Sequence, residues 1–166
     1  MKKRLKGLAI IITLVLSVAL ITGCEIKAGS SGSSSSAKKA YGLGDTFEFD
    51  DLEITLGKDI SYTKVDNQFS EQNGKDVIKL PITVKNLKDD THSLNMFYYK
   101  CYGAQGVELD NVSSYFDEDS IDFAGKLKTG ASYTKYMYIL YDGDGDYSIE
   151  FNNYRSKITV DFSIKK

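Results

Sequence analysis

The chain has 166 residues and a formal net charge of −2, a near-neutral total that hides an asymmetry. The first 23 residues carry Lys2, Lys3, Arg4 and Lys6 with no acid, whereas Tyr41 to Lys166 carries 14 Lys plus Arg against 22 Asp plus Glu, a net of −8 (14 − 22). Nucleic acids and anionic lipid surfaces draw their affinity from cationic contacts, so an acidic domain of this kind is set apart from both and from their function classes.

Residues 1–23 read as a basic start, an apolar run from Leu8 to Ile21, and a small-residue close at Thr22-Gly23. This is the three-zone pattern of a secretory signal. As a helix, the run would span about 21 Å, short of the roughly 30 Å hydrocarbon layer, which favours a cleaved signal over a permanent span. Ile21-Thr22-Gly23-Cys24 resembles the box of bacterial lipoproteins. That resemblance implies a diacylglyceryl group on the Cys24 thiol, cleavage after Gly23, and anchoring to the cell membrane by acyl chains of the palmitate kind. Two or more chains hold a protein at a bilayer where one holds it only marginally.

Residues 24–40 follow as a tether, including Gly29-Ser30-Ser31-Gly32-Ser33-Ser34-Ser35-Ser36. A segment with so little apolar surface is a flexible spacer, with a mean reach of roughly 20 Å. The folding unit is then 41–166. A chain of that size hides about two-thirds of its unfolded surface and folds without staples. None is expected inside it, because Cys24 is committed to the leader and Cys101 has no second thiol to pair with. A single leftover thiol is usually buried as a small hydrophobe.

Within 41–166, strand-like runs are expected at Thr46 to Phe49, Leu52 to Leu56, Ile78 to Lys85, Ser93 to Tyr102, Tyr133 to Tyr141, Tyr147 to Phe151 and Ile158 to Ile164. Alternation is strict in the third and last of these, the mark of a half-buried strand. Pro81 lacks a ladder donor, which points to an edge strand or a bulge. Turn chemistry at Phe49-Asp50-Asp51, Asn73-Gly74, Asn86 to Asp90, Gly103 to Gly106, Thr129-Gly130 and Asp142 to Asp146 separates the runs. Seven or eight short strands at such intervals predict an all-β antiparallel sandwich. Only Ser113 to Phe123 leaves room for a turn of helix.

Gly44-Asp45, Ile82-Thr83-Val84-Lys85-Asn86, Gly103 to Gly106 and Leu127-Lys128-Thr129-Gly130, in this order and spacing, resemble the bacterial lipoprotein family catalogued as domain of unknown function 4352. The resemblance covers most of Gly44 to Ile164; Thr129 stands where the family usually has Pro, and Lys135 where it has a second Gly. It implies an immunoglobulin-like sandwich, related in shape to mycobacterial secreted antigens, and an extracytoplasmic location. No activity and no catalytic residue come with it.

Candidate chemistry is sparse. Asp142-Gly143-Asp144-Gly145-Asp146 resembles the front of a calcium loop, where alternating carboxylates converge oxygens on Ca²⁺. The sixth and twelfth positions are Tyr147 and Asn153 instead of Gly and an acid, so an acidic hairpin tip competes with Asp142, Asp144 and Asp146 as metal ligands. Asp117-Glu118-Asp119 with Asp122 forms a second acidic cluster. The single histidine, His92, sits among turn acids and reads as a solvated turn residue. With neither a nucleophile elbow nor a phosphate loop, no enzyme is expected and no cofactor beyond the possible Ca²⁺. Tyrosines cluster at Tyr98, Tyr99 and Tyr102 and again at Tyr133, Tyr136, Tyr138 and Tyr141. Core or interface roles are favoured over a sugar-stacking platform, Tyr133 to Tyr141 being apolar on both faces.

Two functions remain open at this point. One is a non-enzymatic binding or adhesion module held at the membrane through Cys24, whose ligand is unknown and whose partner is a surface protein or a wall component. The other is an extracytoplasmic cation-binding module using the acidic loops. Thirteen Lys against Arg155 alone in the domain hints at an AT-rich genome and thus at a Gram-positive cell.

Overall fold

The computed structural model describes residues 40–116 and 118–166. The signal peptide, Cys24, residues 25–39 of the tether and Asp117 lie outside them. Apolar residues at every second position, many β-branched, produce eight strands: β1 Thr46–Phe49, β2 Leu52–Leu56, β3 Ser61–Lys64, β4 Asp76–Asn86, β5 Tyr99–Tyr102, β6 Ser132–Leu140, β7 Gly145–Asn152 and β8 Lys157–Ile164. They form two antiparallel sheets, an all-β sandwich. In the first, β4 is central, with β6 along one side and β2 then β3 along the other, and β1 lies beyond β2; the second runs β5-β7-β8.

The inward faces supply the core. Ile78, Leu80, Ile82 and Val84 of β4 meet Ile149 and Phe151 of β7 and Val160 of β8, all fully buried. Aromatic rings stitch the sheets together: Phe151 lies 5.2 Å from Phe47, 5.7 Å from Phe49 and 6.0 Å from Tyr99, all in tilted contacts. The β1–β2 hairpin turns on Asp50 and Asp51, both with positive φ (53° and 58°). A two-residue turn of this hand matches the strand twist, and Asp tolerates it.

The resemblance-bearing residues prove to be structural pins. Asn86 is fully buried. Its amide donates to Asp90 O (2.7 Å) and Leu127 O (3.0 Å), and its oxygen accepts from Lys88 N (2.9 Å). Its backbone also bonds Ala131 O and Gly130 N, locking the 127–131 turn onto the end of β4. At Gly103 an added Cβ would stand 2.3 Å from Asp142 Oδ2, so that turn requires glycine for close approach.

Four sequence expectations need correction. Pro81 belongs to the central strand, flanked on both sides. Its carbonyl accepts from Gly57 N (2.7 Å), so its missing N–H falls at the gap between β2, which ends opposite Ile82, and β3, which begins opposite Lys79. Proline is tolerated in mid-sheet because no neighbour needs that donor. The run Ser93 to Tyr102 is strand only from Tyr99, since Asn95 caps a single 3-10 turn at Met96–Tyr98. Residues 142–146 are no hairpin tip: β6 and β7 belong to different sheets, residues 142–144 cross between them, and Gly145 and Asp146 already open β7. Ser113 to Phe123 holds two 3-10 turns instead of one helical turn, Ser113–Tyr115 and Ile121–Phe123. One element was not anticipated, the short and largely exposed β3.

Candidate functional site

One flank of the sandwich is left open between two edge strands, β5 of the second sheet and β6 of the first. Residues 107–113 close it only in part, bridging Tyr102 to Glu108 at one end and Asn111 to Ile139 at the other. A cleft of about 490 Å³ remains, its walls including Met96, Phe97, Tyr99, Cys101, Asn111 and Met137. That volume lies in the range of small-molecule sites. Met137 and Ile139 are buried and belong to the core, while Phe97 at the rim is 81% exposed.

Polar groups are built into this wall. The Tyr99 hydroxyl donates to Asp122 Oδ1, and Asn111 Nδ2 donates to Asp122 Oδ2 at 2.8 Å. Burial, with the Asp122 carboxylate adding to it, holds the Tyr99 phenol far above its usual range. Cys101, unpaired and half-buried, behaves in the same sense: burial first, then the Asp122 and Glu108 charges, push its thiol up to about 12. Lys100 Nζ is clamped by both Glu108 oxygens, at 2.9 and 2.8 Å. Asp110 accepts from the neutral Gln72 amide at 2.9 Å.

The acidic crossover is occupied differently from the calcium-loop expectation. Asp142 Oδ1 takes the Tyr147 hydroxyl (2.7 Å) and Ala104 N (2.9 Å). Asp144 takes the Tyr141 hydroxyl (2.7 Å) and Lys166 N (2.9 Å). Asp146 takes the Ser163 hydroxyl (2.5 Å). Each carboxylate is thus drawn to a different element, and among the described residues no group of three His, Cys, Asp or Glu could hold a metal ion. Of the second acidic cluster, Asp119 pairs with Lys79 at 3.5 Å, Asp122 belongs to the cleft network, and Asp117 lies outside the described residues.

These bonds predict acid sensitivity. Burial opposes charge on Asp142, but Tyr147 and the backbone N–H groups of Ala104, Gln105 and Asp142 outweigh it, holding the carboxyl below its usual range. Lys166 N and the Tyr141 hydroxyl lower Asp144, and the Lys166 and Lys64 side chains lower Asp76. Groups depressed in the folded state contribute stability above their unfolded pKa, near 4, and lose it as pH falls through the folded value. The melting temperature should therefore hold near neutral pH and drop below about pH 4. Asp142→Asn should lower it at pH 7 while flattening the acid limb; a variant with an unchanged acid limb would sink this assignment.

His92 is a structural residue, correcting the expectation of a solvated turn. Its Nε2 lies 2.8 Å from Asp50 O and 3.2 Å from Asp50 Oδ2, while its backbone pairs with Leu127 in both directions. Asn153 Nδ2 donates to the other Asp50 oxygen at 2.9 Å, so the tight hairpin turn is held from two sides. Among the tyrosines, Tyr138 is 7% exposed and stacks on Phe116 with centroids 4.1 Å apart. Together with Val65, Val77, Val112 and Leu140 it forms a second core on the outer face of the first sheet. Tyr136 lies half-buried beneath Lys79 Nζ, 3.9 Å from its ring. These rings fill a core and do not form an open platform.

The cleft itself was missed from sequence. Residues 107–113 carry no periodicity, and the alternating faces of β5 and β6 do not reveal that both are edges on the same flank.

No family model matches the chain and no curated protein matches it in sequence. Solved structures do. The yjhA protein from Bacillus subtilis superposes with a TM-score of 0.54 at 17% identity, over 72% of this chain and 97% of that one. The secreted protein MPT63 from Mycobacterium tuberculosis gives 0.53 at 14%, over 78% of this chain and 100% of that one. A candidate lipoprotein, ycdA, also from Bacillus subtilis, gives 0.53 at 14%, over 71% of this chain and 38% of that one. At these identities the likeness is one of fold, an antiparallel β-sandwich. Among the described residues, no helix is long and apolar enough to cross a membrane.

Proposed function

We propose that this chain is a lipoprotein anchored through Cys24 to the extracytoplasmic face of a bacterial cell membrane, Gram-positive by composition. Its sandwich is a non-catalytic binding module for a surface protein or wall component, of the domain-of-unknown-function 4352 kind. The anchoring half of this reading stands on Ile21-Thr22-Gly23-Cys24 behind a basic and apolar leader, followed by a Gly/Ser tether. A candidate lipoprotein and a secreted protein among the structures of the same fold are in keeping with it.

The binding half is carried by one observation, the partly closed cleft between β5 and β6 with its exposed rim at Phe97. A non-catalytic role is supported by the state of the reactive groups. The single imidazole is committed to Asp50, and the thiol in the cleft is held protonated, unlike a catalytic cysteine, whose pKa is depressed.

Cys24→Ser tests the anchoring. The wild-type chain should incorporate labelled palmitate and sediment with membranes. The variant should lose the label completely and appear in the medium or retain an uncleaved leader, with unchanged far-UV circular dichroism. Palmitate label persisting in the variant would overturn the assignment to Cys24.

A further inference from the structure

We propose that the cleft between β5 and β6 binds an organic cation, a primary ammonium carried on an apolar stem. This deepens the binding reading above and rests on it. The walls and floor provide the apolar part: Met96, Phe97, Leu109, Met137 and Ile139 line the cavity. They can cover an aliphatic stem of several methylenes, each worth about 0.8 kcal/mol on burial.

The charge of the site argues for the cation. Three carboxylates border the cleft, Glu108 and Asp110 in its wall and Asp122 directly behind Tyr99 and Asn111. One cation faces them, Lys100, and it is fully engaged by Glu108 at 2.8 Å. Asp110 and Asp122 accept only from neutral partners, the amides of Gln72 and Asn111 and the phenol of Tyr99. Among the described residues no cation stands within ion-pair distance of either. Two negative charges therefore stand beside the cavity without an ion-pair partner, Asp122 half-buried and Asp110 exposed.

Cys101 and Tyr99 in the wall both resist ionisation, burial being the main cause and the Asp122 carboxylate a further one in each case. Burial opposes charge of either sign; the Asp122 contribution is the part that favours a positive guest. The rings of Tyr99 and Phe97 add a face on which an ammonium can rest. Anionic and zwitterionic ligands meet repulsion here. A neutral apolar ligand gains nothing from the charge of the two carboxylates.

Cys101 makes the test direct. In the full chain carrying Cys24→Ser it is the sole thiol, and it lines the cleft. Its modification by a cationic methanethiosulfonate (trimethylammonium-ethyl) is compared with that by an anionic one (sulfonato-ethyl), each rate divided by that of N-acetylcysteine. The cation-to-anion ratio should be about tenfold or more at low ionic strength and should shrink with added salt. Asp110→Asn should reduce it several-fold, with its melting temperature confirming the fold. Protection of Cys101 is then measured with n-hexylammonium, n-hexanol and hexanoate.

The ammonium should protect and the other two should not. An end-capped peptide with a central lysine distinguishes a free amine from one presented on a chain, and protection by either supports the assignment. A ratio near or below one, or equal protection by n-hexanol, overturns the cation assignment alone. If no probe protects, the cleft as a binding site fails as well.

Discussion

A variant with leucine in place of Asn86 is expected to lose about 3 kcal/mol of stability, seen as a lower denaturation midpoint at unchanged m-value. The reason is local and countable. Leucine keeps the branched shape and heavy-atom count of asparagine, so no cavity opens, yet Asp90 O and Lys88 N–H lose their partner and Leu127 O keeps only the bond from His92 N. Each orphaned group costs about 1–3 kcal/mol when it stays buried, less where water reaches it. Asn86→Asp should do no better, because a carboxylate would face two carbonyl oxygens. A loss under about 0.5 kcal/mol would mean that the 127–131 turn holds itself, and Asn86 would cease to be a pin.

Phe151→Ala should cost still more, about 3–5 kcal/mol, a large share of the 5–15 kcal/mol typical of a domain. Phe151 is fully buried and its ring touches Phe47 and Phe49 of the opposite sheet and Tyr99 of its own. Truncation would remove the contact through which the sheets meet and leave a void bordered by aromatic rings that cannot collapse into it. Phe151→Leu, keeping most of the volume, should cost about 1.5 kcal/mol or less. Phe97→Ala supplies the contrast. At 81% exposure it should stay within about 0.5 kcal/mol of the wild type. If both phenylalanines proved equally costly, the distinction between core and cleft rim would be wrong.

The strands were legible where one face is buried and the other wet. Ile78 to Lys85 and Ile158 to Ile164 show this alternation, and both became strands, the first longer by three residues and the second by one. Ser61–Lys64 escaped notice because β3 buries almost nothing, its burial pattern running exposed, exposed, half-buried, exposed; backbone pairing to β4, the Lys64–Asp76 ion pair and the edge contact of Tyr62 with Tyr141 hold it. Ser93 to Tyr102 looked continuous because its aromatic residues suit a strand. The Asn95 side chain, by capping Phe97 N at 2.9 Å, diverts the chain into a turn first.

The cleft is a different case. Tyr99, Asn111 and Asp122 are spread over more than twenty residues and carry no shared motif. Their meeting depends on which strands end up as edges. The acidic crossover shows the same limit from the other side: Asp142, Asp144 and Asp146 have the spacing of converging ligands. In the fold they answer to Tyr147, Tyr141 and Ser163, partners set by the passage of the chain from one sheet to the other.

By itself, the sequence determined the features that depend on near neighbours: most of the strands, the turns at Asp50-Asp51 and Gly130, and the net charge of the domain. Period-2 burial and turn dihedrals act over a few residues and leave local marks. Tertiary structure alone decided that Pro81 could sit in a central strand, because β2 and β3 part where its donor is missing. It alone decided that His92 would brace a hairpin 42 residues away, and that β5 and β6 would leave a carboxylate-bordered cleft between them. Those outcomes depend on strand order and on which edges stay unpaired, and such properties belong to the packed whole.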